Sequence, residues 1–533
     1  MNRILWLLAL LIPATAVAQE VPIDFSSVGY GAGAPLPAVA AVTRVEPSGG
    51  DDTALLQAAI EYVGRRRPDR AGFRGAVLLD AGEFHVSGQL RLDVSGVVLR
   101  GMGRQTRIIA TGQSRRALIR LGAARPAGTS QSARIAADAP AGATELAVDD
   151  VTTFAAGDRV IVSRPSTTEW IHALGMDQYQ GNFVNQRTNW LPGSRNLSWT
   201  RVLVAVDKAR RLIRLDAPIT TALALDFGGA TIARADGLPP TQRVGIENLT
   251  LESAHDSSNL KDEEHAWIAA HFDNVEDAWA RSVTARHFAG SAIRVGPGAR
   301  RVTAVDCHSE APVSEIGGYR RQSFLVEGTQ VLVDGCTAES GLNDFALGLC
   351  ASGPNVFRNC RSERALGPSG SFESWASGAL YERVRIERAA LRLARDDERS
   401  QGGGWTAANC VARDCEATEI VLEGPPGAPV VLQAGKTAPA AEFRPAPVER
   451  PSSVPLFKSA KPSRRAIPPP SAGGLSIVHG RFVVDGRALW GGQLNAAWWK
   501  GQTPAAIATS VSGRSITRFV PGRQGPGLTE DLE

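Results

Sequence analysis

The sequence predicts an all-β fold, a parallel β-helix with an N-terminal capping helix and a small inserted β subdomain. Three observations lead to this prediction: a six-residue block that recurs along the middle of the chain, an alternation of residue types inside each block, and loops of variable length between the blocks. A short strand that returns about every two dozen residues is typical of a chain wound into stacked coils.

The recurring block is the basis of the fold prediction. Its seven copies are Asn248–Ser253, Ser282–His287, Asp306–Ala311, Gly335–Ser340, Asn359–Arg364, Arg383–Arg388 and Asp414–Glu419. Their second and fourth positions are small or apolar and alternate with polar ones, which is the period-two pattern of a strand with one buried face. The second positions lie roughly 24 to 34 residues apart, so the loops between successive strands must absorb the difference in length.

The N-terminal part of the chain is predicted to supply the first coils and their cap. Asp51, Asp52 and Thr53 precede apolar residues at helical spacing, which predicts an N-cap followed by a helix with one buried face. Such a helix would cover the open end of the stack. Apolar runs with glycine at the turns follow at 76–92 and 96–108, as short strands require.

Residues 133–235 interrupt this rhythm and are predicted to form an inserted β unit. Thr200–Leu215 has the pattern of a hairpin that turns near Asp207. A polar loop rich in aromatic residues, including Trp190, precedes this hairpin. These aromatic side chains could stack on sugar rings, or they could form the small core of the insertion itself.

The remaining boundaries follow from composition. Residues 1–18 resemble an export signal, since Arg3 precedes an apolar stretch and a small-residue cleavage pattern; the alternative, a membrane anchor, would need a longer apolar run. The β-helix domain is assigned to 19–435. A Pro- and Ala-rich linker follows at 436–474, expected to be extended and mobile, and then a partial C-terminal module at 475–533, which we expect to be truncated.

Charge and cysteine content limit the kinds of partner and the kinds of site that the chain is expected to have. The net charge is +4 and the pI about 8.8, which argues against a nucleic-acid partner and is compatible with an acidic polysaccharide. All six cysteines lie in the repeat region. Cys307, Cys336 and Cys360 could stack as buried thiols on adjacent coils or form disulfides between them. No metal-ligand spacing is present in the sequence, so no metal site is predicted.

A resemblance adds to this interpretation. The strings G-G-D-D-T-A-L-L-Q-A-A-I, L-L-D-A-G-E-F-H-V-S-G-Q-L and V-V-L-R-G-M-G resemble the N-terminal signature of the pectate-lyase-like superfamily, and more narrowly that of rhamnogalacturonase/epimerase-type proteins. The match is clear over about residues 45–120. It implies a right-handed β-helix and a carbohydrate-active protein, because that superfamily includes uronate lyases, glycoside hydrolases, epimerases and phage tailspikes.

The first candidate site lies on three consecutive predicted coils, at 317–328, 341–353 and 367–378. Each of these segments ends in glycine, which serves as an alignment mark. Asp344 and Glu373 are the predicted acid/base pair. The predicted substrate-binding residues are Arg320, Arg321, Asn343 and Trp375, with Trp190 from the insertion. The alternative is a ladder of solvated charges and ion pairs between coils.

A second candidate site rests on histidines. His265 and His287 are possible acid/base groups at near-neutral pH, and Arg286 could hold an anionic group. The alternative is that they are ordinary polar residues at strand ends. The run Asp262–Glu264 offers carboxylates to Ca²⁺, but no calcium-binding motif accompanies it, so no cofactor is predicted.

The sequence therefore predicts an exported carbohydrate-active enzyme, periplasmic or secreted, that acts on an acidic or plant-type polysaccharide. Both β-elimination at a uronate and glycosidic hydrolysis stay open. The alternative is a non-catalytic glycan-binding or surface β-helix protein. The expected partner is polysaccharide, with no nucleic acid and no membrane contact after signal cleavage. The sequence does not decide between a monomer and a trimer.

Overall fold

The structure of the protein is a computed structural model. It describes residues 21–123, 128–178, 189–237, 239–397, 403–433 and 454–457, and the backbone of 475–478, 481–484 and 487–489. The predicted export signal lies outside the described residues, as do most of the predicted linker and C-terminal module.

The chain folds as a right-handed parallel β-helix, with 44% strand and 7% helix, which confirms the predicted fold class. Each coil contributes short strands to three faces, and consecutive coils pair in parallel, about 4.8 Å apart. Faces 1 and 2 belong to one continuous sheet of 19 strands, and face 3 is a separate sheet of nine.

Face 1 carries the longest strands, and two of them, β15 and β17, extend around the corner into face 2. Its strands are β1 (Ala41–Val45), β2 (Gly75–Leu79), β5 (Val97–Arg100), β14 (Thr241–Gln242), β15 (Gly245–Ser253), β17 (Val275–Arg286), β19 (Arg300–Val305), β22 (Val331–Asp334), β25 (Ser352–Arg358), β28 (Ala376–Glu382), β33 (Ala407–Ala408), β34 (Cys410–Arg413) and β36 (Val430–Gln433).

Faces 2 and 3 are built from shorter strands. The additional strands of face 2 are β3 (Gly82–Val86), β6 (Thr106–Ala110), β20 (His308–Glu310), β23 (Thr337–Glu339), β26 (Arg361–Glu363) and β29 (Arg385–Ile386). The strands of face 3 are β4 (Leu90–Leu92), β7 (Ala117–Leu121), β16 (Ile268–Phe272), β18 (Ser291–Val295), β21 (Phe324–Val326), β24 (Phe345–Leu347), β27 (Ser369–Ser371), β30 (Ala390–Leu393) and β35 (Glu419–Leu422). A small antiparallel pair, β31 (Arg395–Asp396) and β32 (Gly404–Trp405), lies beside them.

Each recurring block except the last contributes a strand to face 2; the last, Asp414–Glu419, forms there only a bridge between Glu416 and Arg385. The first residue of every block has a left-handed backbone; examples are Asn248 at φ 53°, Asp306 at φ 51° and Asn359 at φ 54°. The sixth residue often does as well, as at Ala311 (φ 47°). Asn, Asp and Gly tolerate this conformation best, which explains their frequency at the first position.

The interior is a set of stacked side-chain ladders. The second positions of the blocks form one of them, in which Cys307, Cys336 and Cys360 are buried on successive coils. All six cysteines are free thiols, so the stacked arrangement is present and the disulfide alternative is not. Aromatic rings stack in the same manner, as between Phe357 and Tyr381, whose centroids are 4.7 Å apart.

The N-terminal end of the stack is capped by helix α1 (Thr53–Gly64), as predicted. Its buried side includes Leu56, Ile60 and Val63. Asp52 occupies the N-cap position, but its carboxylate accepts hydrogen bonds from the backbone N–H groups of Ser48 and His85 rather than from the helix. This carboxylate therefore ties the start of the helix to the first coils.

The insertion is a six-stranded antiparallel sheet with one short helix, which confirms the predicted β subdomain. Its elements are β8 (Gly128–Arg134), β9 (Glu145–Ala147), β10 (Arg159–Arg164), α2 (Thr168–Ala173), β11 (Leu197–Asp207), β12 (Leu212–Leu215) and β13 (Thr231–Asp236). It packs on the turns that lead from face 3 to face 1. Arg201 anchors it there, since its guanidinium donates to the carbonyl oxygens of Pro218 and Gly353.

Further on, three antiparallel strands lie in the predicted C-terminal module: β37 (Leu475–Val478), β38 (Arg481–Val484) and β39 (Arg487–Leu489). Neither α-helix in the described part of the chain has the length and apolar composition that crossing a bilayer would require.

Candidate functional site

A cleft opens where the insertion meets the end of face 3. Its volume is about 240 Å³. The insertion contributes hydroxyl and amide side chains, and the β-helix contributes one carboxylate, one thiol and several turn residues. The residues lining the cleft are Ser194, Asn196, Ser198, Thr200, Pro297, Glu327, Thr329, Leu349, Cys350 and Ser352.

Glu327 is the carboxylate that lines this cleft. It directly follows β21 and forms a two-pronged ion pair with Arg294 of β18, with Nε–Oε2 at 2.8 Å and Nη2–Oε1 at 3.0 Å. The parallel register of face 3 pairs Arg294 with Leu325, so the guanidinium reaches along the strand direction to the carboxylate. A bidentate pair of this kind fixes the orientation of both groups.

Glu373 lies next to Glu327 but is more deeply buried, with 3% of its surface exposed, and it stands behind Glu327 rather than among the residues that line the cleft. Its Oε2 accepts a hydrogen bond from the backbone N–H of Leu349 at 2.6 Å. Burial, and next the negative charge of Glu327, raise the pKa of Glu373 to about 8. Tyr319, the Leu349 N–H and Arg294 oppose this increase only in part. The Glu373 carboxyl group therefore keeps its proton at neutral pH.

Gly348 sits between the two carboxyl groups. It directly follows β24, on the coil between those that carry Glu327 and Glu373. A Cβ added at Gly348 would lie 3.4 Å from Glu373 Oε2 and 3.5 Å from Glu327 Cδ, which places the two carboxyl groups within about 7 Å of each other. A side chain at position 348 would occupy the space they share.

Two further side chains approach this pair from different parts of the chain. Tyr319, in the loop before β21, hydrogen-bonds to Glu373, and burial together with the Glu373 charge raises the pKa of its phenol well above the usual value. Arg195 of the insertion is close enough to Tyr319 to act against this increase. Its guanidinium also lies over the Trp190 ring, 5.5 Å from the centroid. The insertion thus closes one side of the site.

This arrangement can support acid/base chemistry. One carboxyl group, Glu373, is held protonated by its surroundings, and the other, Glu327, lies in a bidentate ion pair with Arg294. Environments that push two neighbouring acids apart in pKa are the usual way in which a site assigns one proton donor and one carboxylate. In the described part of the chain, no group of three or more His, Cys, Asp and Glu side chains is arranged to hold a metal ion.

The structure separates Asp344 from Glu373, although the sequence predicted them as a pair. Asp344 faces the interior, where the hydroxyl groups of Ser323 and Ser362 donate to its carboxylate at 2.6 Å and 2.5 Å. Burial raises the pKa of Asp344 to about 6. Asn343 is also buried, and its Nδ2 donates to the Gly370 carbonyl at 3.4 Å. Neither side chain lines the cleft; Glu373 does not line it either, but Glu373 lies beside Glu327, which does.

Arg320 and Arg321 are committed to other partners. The Arg320 guanidinium pairs with Glu263, with Nη2–Oε2 at 3.0 Å, and lies 5.7 Å from the centroid of the Trp267 ring. Arg321 holds its own loop closed, since its Nη2 donates to the Ser314 carbonyl at 2.8 Å. Arg320 therefore takes part in an ion pair, and Arg321 stabilises its loop. These structural roles are the alternative to binding a sugar carboxylate.

The two tryptophans are part of a core and do not form an open platform. Trp375 is 2% exposed, and its Nε1 donates to Thr221 Oγ1 at 3.0 Å. Its ring contacts those of Trp170 and Trp190, with centroids 4.7 Å and 6.3 Å away. This cluster joins the insertion to the coils. The expectation that Trp375 and Trp190 contact a sugar is corrected accordingly.

The histidines do cluster, but outside the cleft. The ring of His255 lies 4.6 Å from that of His287 and 6.1 Å from that of His265. His265 is buried, with Nδ1 2.8 Å from Ser253 Oγ, and burial lowers its pKa. His287 occupies a left-handed corner at φ 67°, and burial followed by the charge of His255 lowers its pKa. Arg286 is 40% exposed and lies 3.4 Å from Glu310.

Glu373 is among the candidates named from the sequence, but Glu327, Arg294 and Tyr319 are not. The cause is the choice of glycine as an alignment mark. The register pairs Val326 with Leu347 and Leu347 with Ser371, whereas the following turns reach Gly328, Gly353 and Gly378 after different numbers of residues. Aligning the ends of the face 3 strands, Val326, Leu347 and Ser371, places Glu327, Gly348 and Phe372 in register, with Glu373 one residue further on.

The fold and this cleft define a parallel β-helix protein with paired carboxyl groups between its coils and an inserted sheet. A family model described as Domain of unknown function (DUF6298) matches residues 452–533. No curated protein matches the chain.

Three solved structures to which the chain is similar illustrate the comparison. The tailspike gp61 of Pseudomonas phage phi297 is 12% identical over 73% of this chain and 69% of that chain, with a TM-score of 0.30. PfbA, a surface adhesin of Streptococcus pneumoniae, is 10% identical over 73% and 78%, with a TM-score of 0.36. An iota-carrageenase in complex with iota-carrageenan fragments is 9% identical over 73% and 59%, with a TM-score of 0.32.

Proposed function

We propose that this protein is an exported polysaccharide-acting enzyme that hydrolyses glycosidic bonds at the cleft between face 3 and the insertion. Glu373 is the general acid and Glu327 is the second carboxylate. The observation that carries the proposal is the approach of these two groups around Gly348, with Glu373 protonated and Glu327 paired with Arg294. Membership of the pectate-lyase-like superfamily, periplasmic or secreted location and an acidic or plant-type substrate belong to the same proposal.

The chemistry follows from the two states of the carboxyl groups. Hydrolysis requires a proton for the leaving oxygen and a carboxylate that activates water or attacks the sugar. Glu373 supplies the proton, since its pKa of about 8 keeps it protonated at neutral pH. Glu327 supplies the carboxylate, since Arg294 stabilises its charge. The Ser, Asn and Thr side chains of the insertion offer hydrogen bonds to sugar hydroxyls.

The test is to incubate the protein with a panel of pectin, rhamnogalacturonan, alginate and arabinogalactan. New reducing ends without an unsaturated, ultraviolet-absorbing product support hydrolysis, and the unsaturated product would instead indicate elimination. Glu373→Gln and Glu327→Gln should each lower turnover by at least about 100-fold. Glu363→Gln, on the exposed part of face 2, is the matched control and should keep full activity. Full activity in Glu373→Gln would overturn the assignment.

A second candidate function, glycan binding without catalysis, is favoured by one observation. Glu373 is almost fully buried, and the cleft is smaller than most small-molecule sites. If no substrate in the panel is cleaved but one is bound, and Glu327→Gln weakens that binding, the protein is a glycan-binding β-helix. The two functions share the cleft and differ in whether Glu373 delivers its proton.

A further inference from the structure

A short C-terminal segment lies against the first coil. Val454–Phe457 runs parallel to β1, and Leu456 is paired with Arg44. The Arg44 N–H donates to the Pro455 carbonyl at 2.7 Å, and the Phe457 N–H donates to the Arg44 carbonyl at 2.6 Å. The Thr43 hydroxyl adds a third bond to the Pro455 carbonyl, at 3.2 Å across 412 residues of sequence. The segment therefore completes the edge of β1 as an added strand.

Apolar side chains hold the segment in place. Val454 is 8% exposed. Phe457 packs against the main core, and its ring centroid lies 5.5 Å from that of Tyr62 on α1. Leu456 points outward and is 36% exposed. Buried apolar side chains combined with main-chain hydrogen bonds are the pattern by which an extended segment adds to the open edge of a sheet.

The position of this segment does not follow from chain order. The last strand of the β-helix, β36, ends at Gln433 at the other end of the stack, where it pairs with β34. β1 pairs with β2 on one side only among the described strands. An open strand edge invites pairing with other chains, so the segment protects the edge that α1 leaves uncovered.

We infer that Val454–Phe457 is a docking strand that fastens the C-terminal region of this chain to the N-terminal end of the β-helix. The match to the family model begins at residue 452, two residues before the strand, so the docking strand belongs to that region and not to a free linker. The surface formed by β1 and α1 is the interface, and its partner is the chain's own C-terminal region. Within the predicted linker, 436–474, these four residues are therefore extended and paired with β1.

The experiment is amide hydrogen exchange on the full chain. Phe457→Ala removes the partly buried side chain that packs on the core and on Tyr62, while Leu456→Ala changes an exposed neighbour and is the matched control. We expect exchange at the Arg44 amide to rise by about tenfold or more in Phe457→Ala and to stay near the wild-type rate in Leu456→Ala. The amides of β23 report global stability and should be unchanged in both variants.

An unchanged rate at Arg44 in Phe457→Ala would overturn the inference. An equal rise at Arg44 and throughout β23 would indicate loss of global stability, and a chain ending at residue 451 then decides the matter. Selective deprotection of β1 in that chain supports docking, and retained protection of Arg44 refutes it. Neither outcome bears on glycan cleavage.

Discussion

The carboxyl groups of Glu327 and Glu373 flank the same residue, Gly348, from the coils on either side of it. Glu373 Oε2 and Glu327 Cδ lie 3.4 Å and 3.5 Å from the position of an added Cβ. This proximity, in a buried setting, is one reason why Glu373 remains protonated at neutral pH while Glu327 is paired with Arg294. The glycine is therefore as important to the site as the two acids.

The raised pKa of Glu373 predicts a specific dependence of stability on pH. Its folded pKa is about 8 against an ordinary value of 4.5. Between these values the unfolded chain has lost the proton and the folded chain has kept it, so the free energy of unfolding must fall as pH rises, by about 1.4 kcal/mol per pH unit. Glu373→Gln removes this contribution because it is neutral in both states.

Denaturant unfolding of wild type and Glu373→Gln across this range measures the effect. The difference in unfolding free energy should grow in favour of the variant as pH rises through the window, and level off above about pH 8. The Glu363→Gln variant should follow the wild type throughout. Parallel curves for wild type and Glu373→Gln would mean that the carboxyl group is ionised in the folded protein.

Substituting the intervening glycine should disable the site without unfolding the protein. In Gly348→Ala, the new Cβ would lie 2.6 Å from Glu327 Cγ, so the Glu327 side chain must move away from its position. We expect turnover, or glycan affinity if the protein only binds, to fall by about tenfold or more, with a loss of stability of about 1–3 kcal/mol. Gly50→Ala is the control, because its added Cβ has its nearest neighbour at 3.9 Å.

Substituting alanine by glycine should have opposite effects on stability at a corner position and at a strand position. Ala311 has φ 47°, a conformation that costs an alanine more than a glycine. We expect Ala311→Gly to stabilise the fold by up to about 1 kcal/mol. Ala338 lies inside a buried strand, and Ala338→Gly should destabilise by about 1 kcal/mol. Thermal unfolding compares the two, and a loss of stability in Ala311→Gly would contradict the assigned corner.

We expect Asp344 to act as a core residue, although its side chain is a carboxylic acid. Its carboxylate is buried beneath two serine hydroxyl groups and does not reach the cleft. The Asp344→Asn variant should keep its turnover and glycan binding. In the wild type, the free energy of unfolding should fall as pH rises between about pH 3.8 and about pH 6, because the folded state keeps the Asp344 proton. In Asp344→Asn this dependence on pH should be absent. A large loss of activity at wild-type stability would return Asp344 to the site.

The fold was predictable because its information is local and repeated. Each block carries the alternation that buries one side of a strand, and its first position carries residues suited to a left-handed corner. The apolar residues at helical spacing after Thr53 predicted helix α1. A β-helix stacks each coil on its neighbours, so a pattern that specifies one coil specifies the whole architecture.

The site was only partly predictable. Glu373 was among the candidates, but its predicted partner, Asp344, turned inward, and Trp375 became part of a core with the insertion. Which side chains share a cleft depends on turn lengths between coils and on where an inserted sheet packs. The residues of a single coil determine neither the turn lengths between coils nor the place where the inserted sheet packs.

The sequence alone determined a stack of coils, its capping helix and its inserted sheet, because alternation and corner residues act over a few positions. Only the tertiary structure decided that Glu327 and Glu373 meet around Gly348, that the insertion lines one side of the cleft, and that Val454–Phe457 returns to β1. The physical reason is that these contacts join residues far apart in the chain, and their geometry is set by coil register and domain packing rather than by local preference.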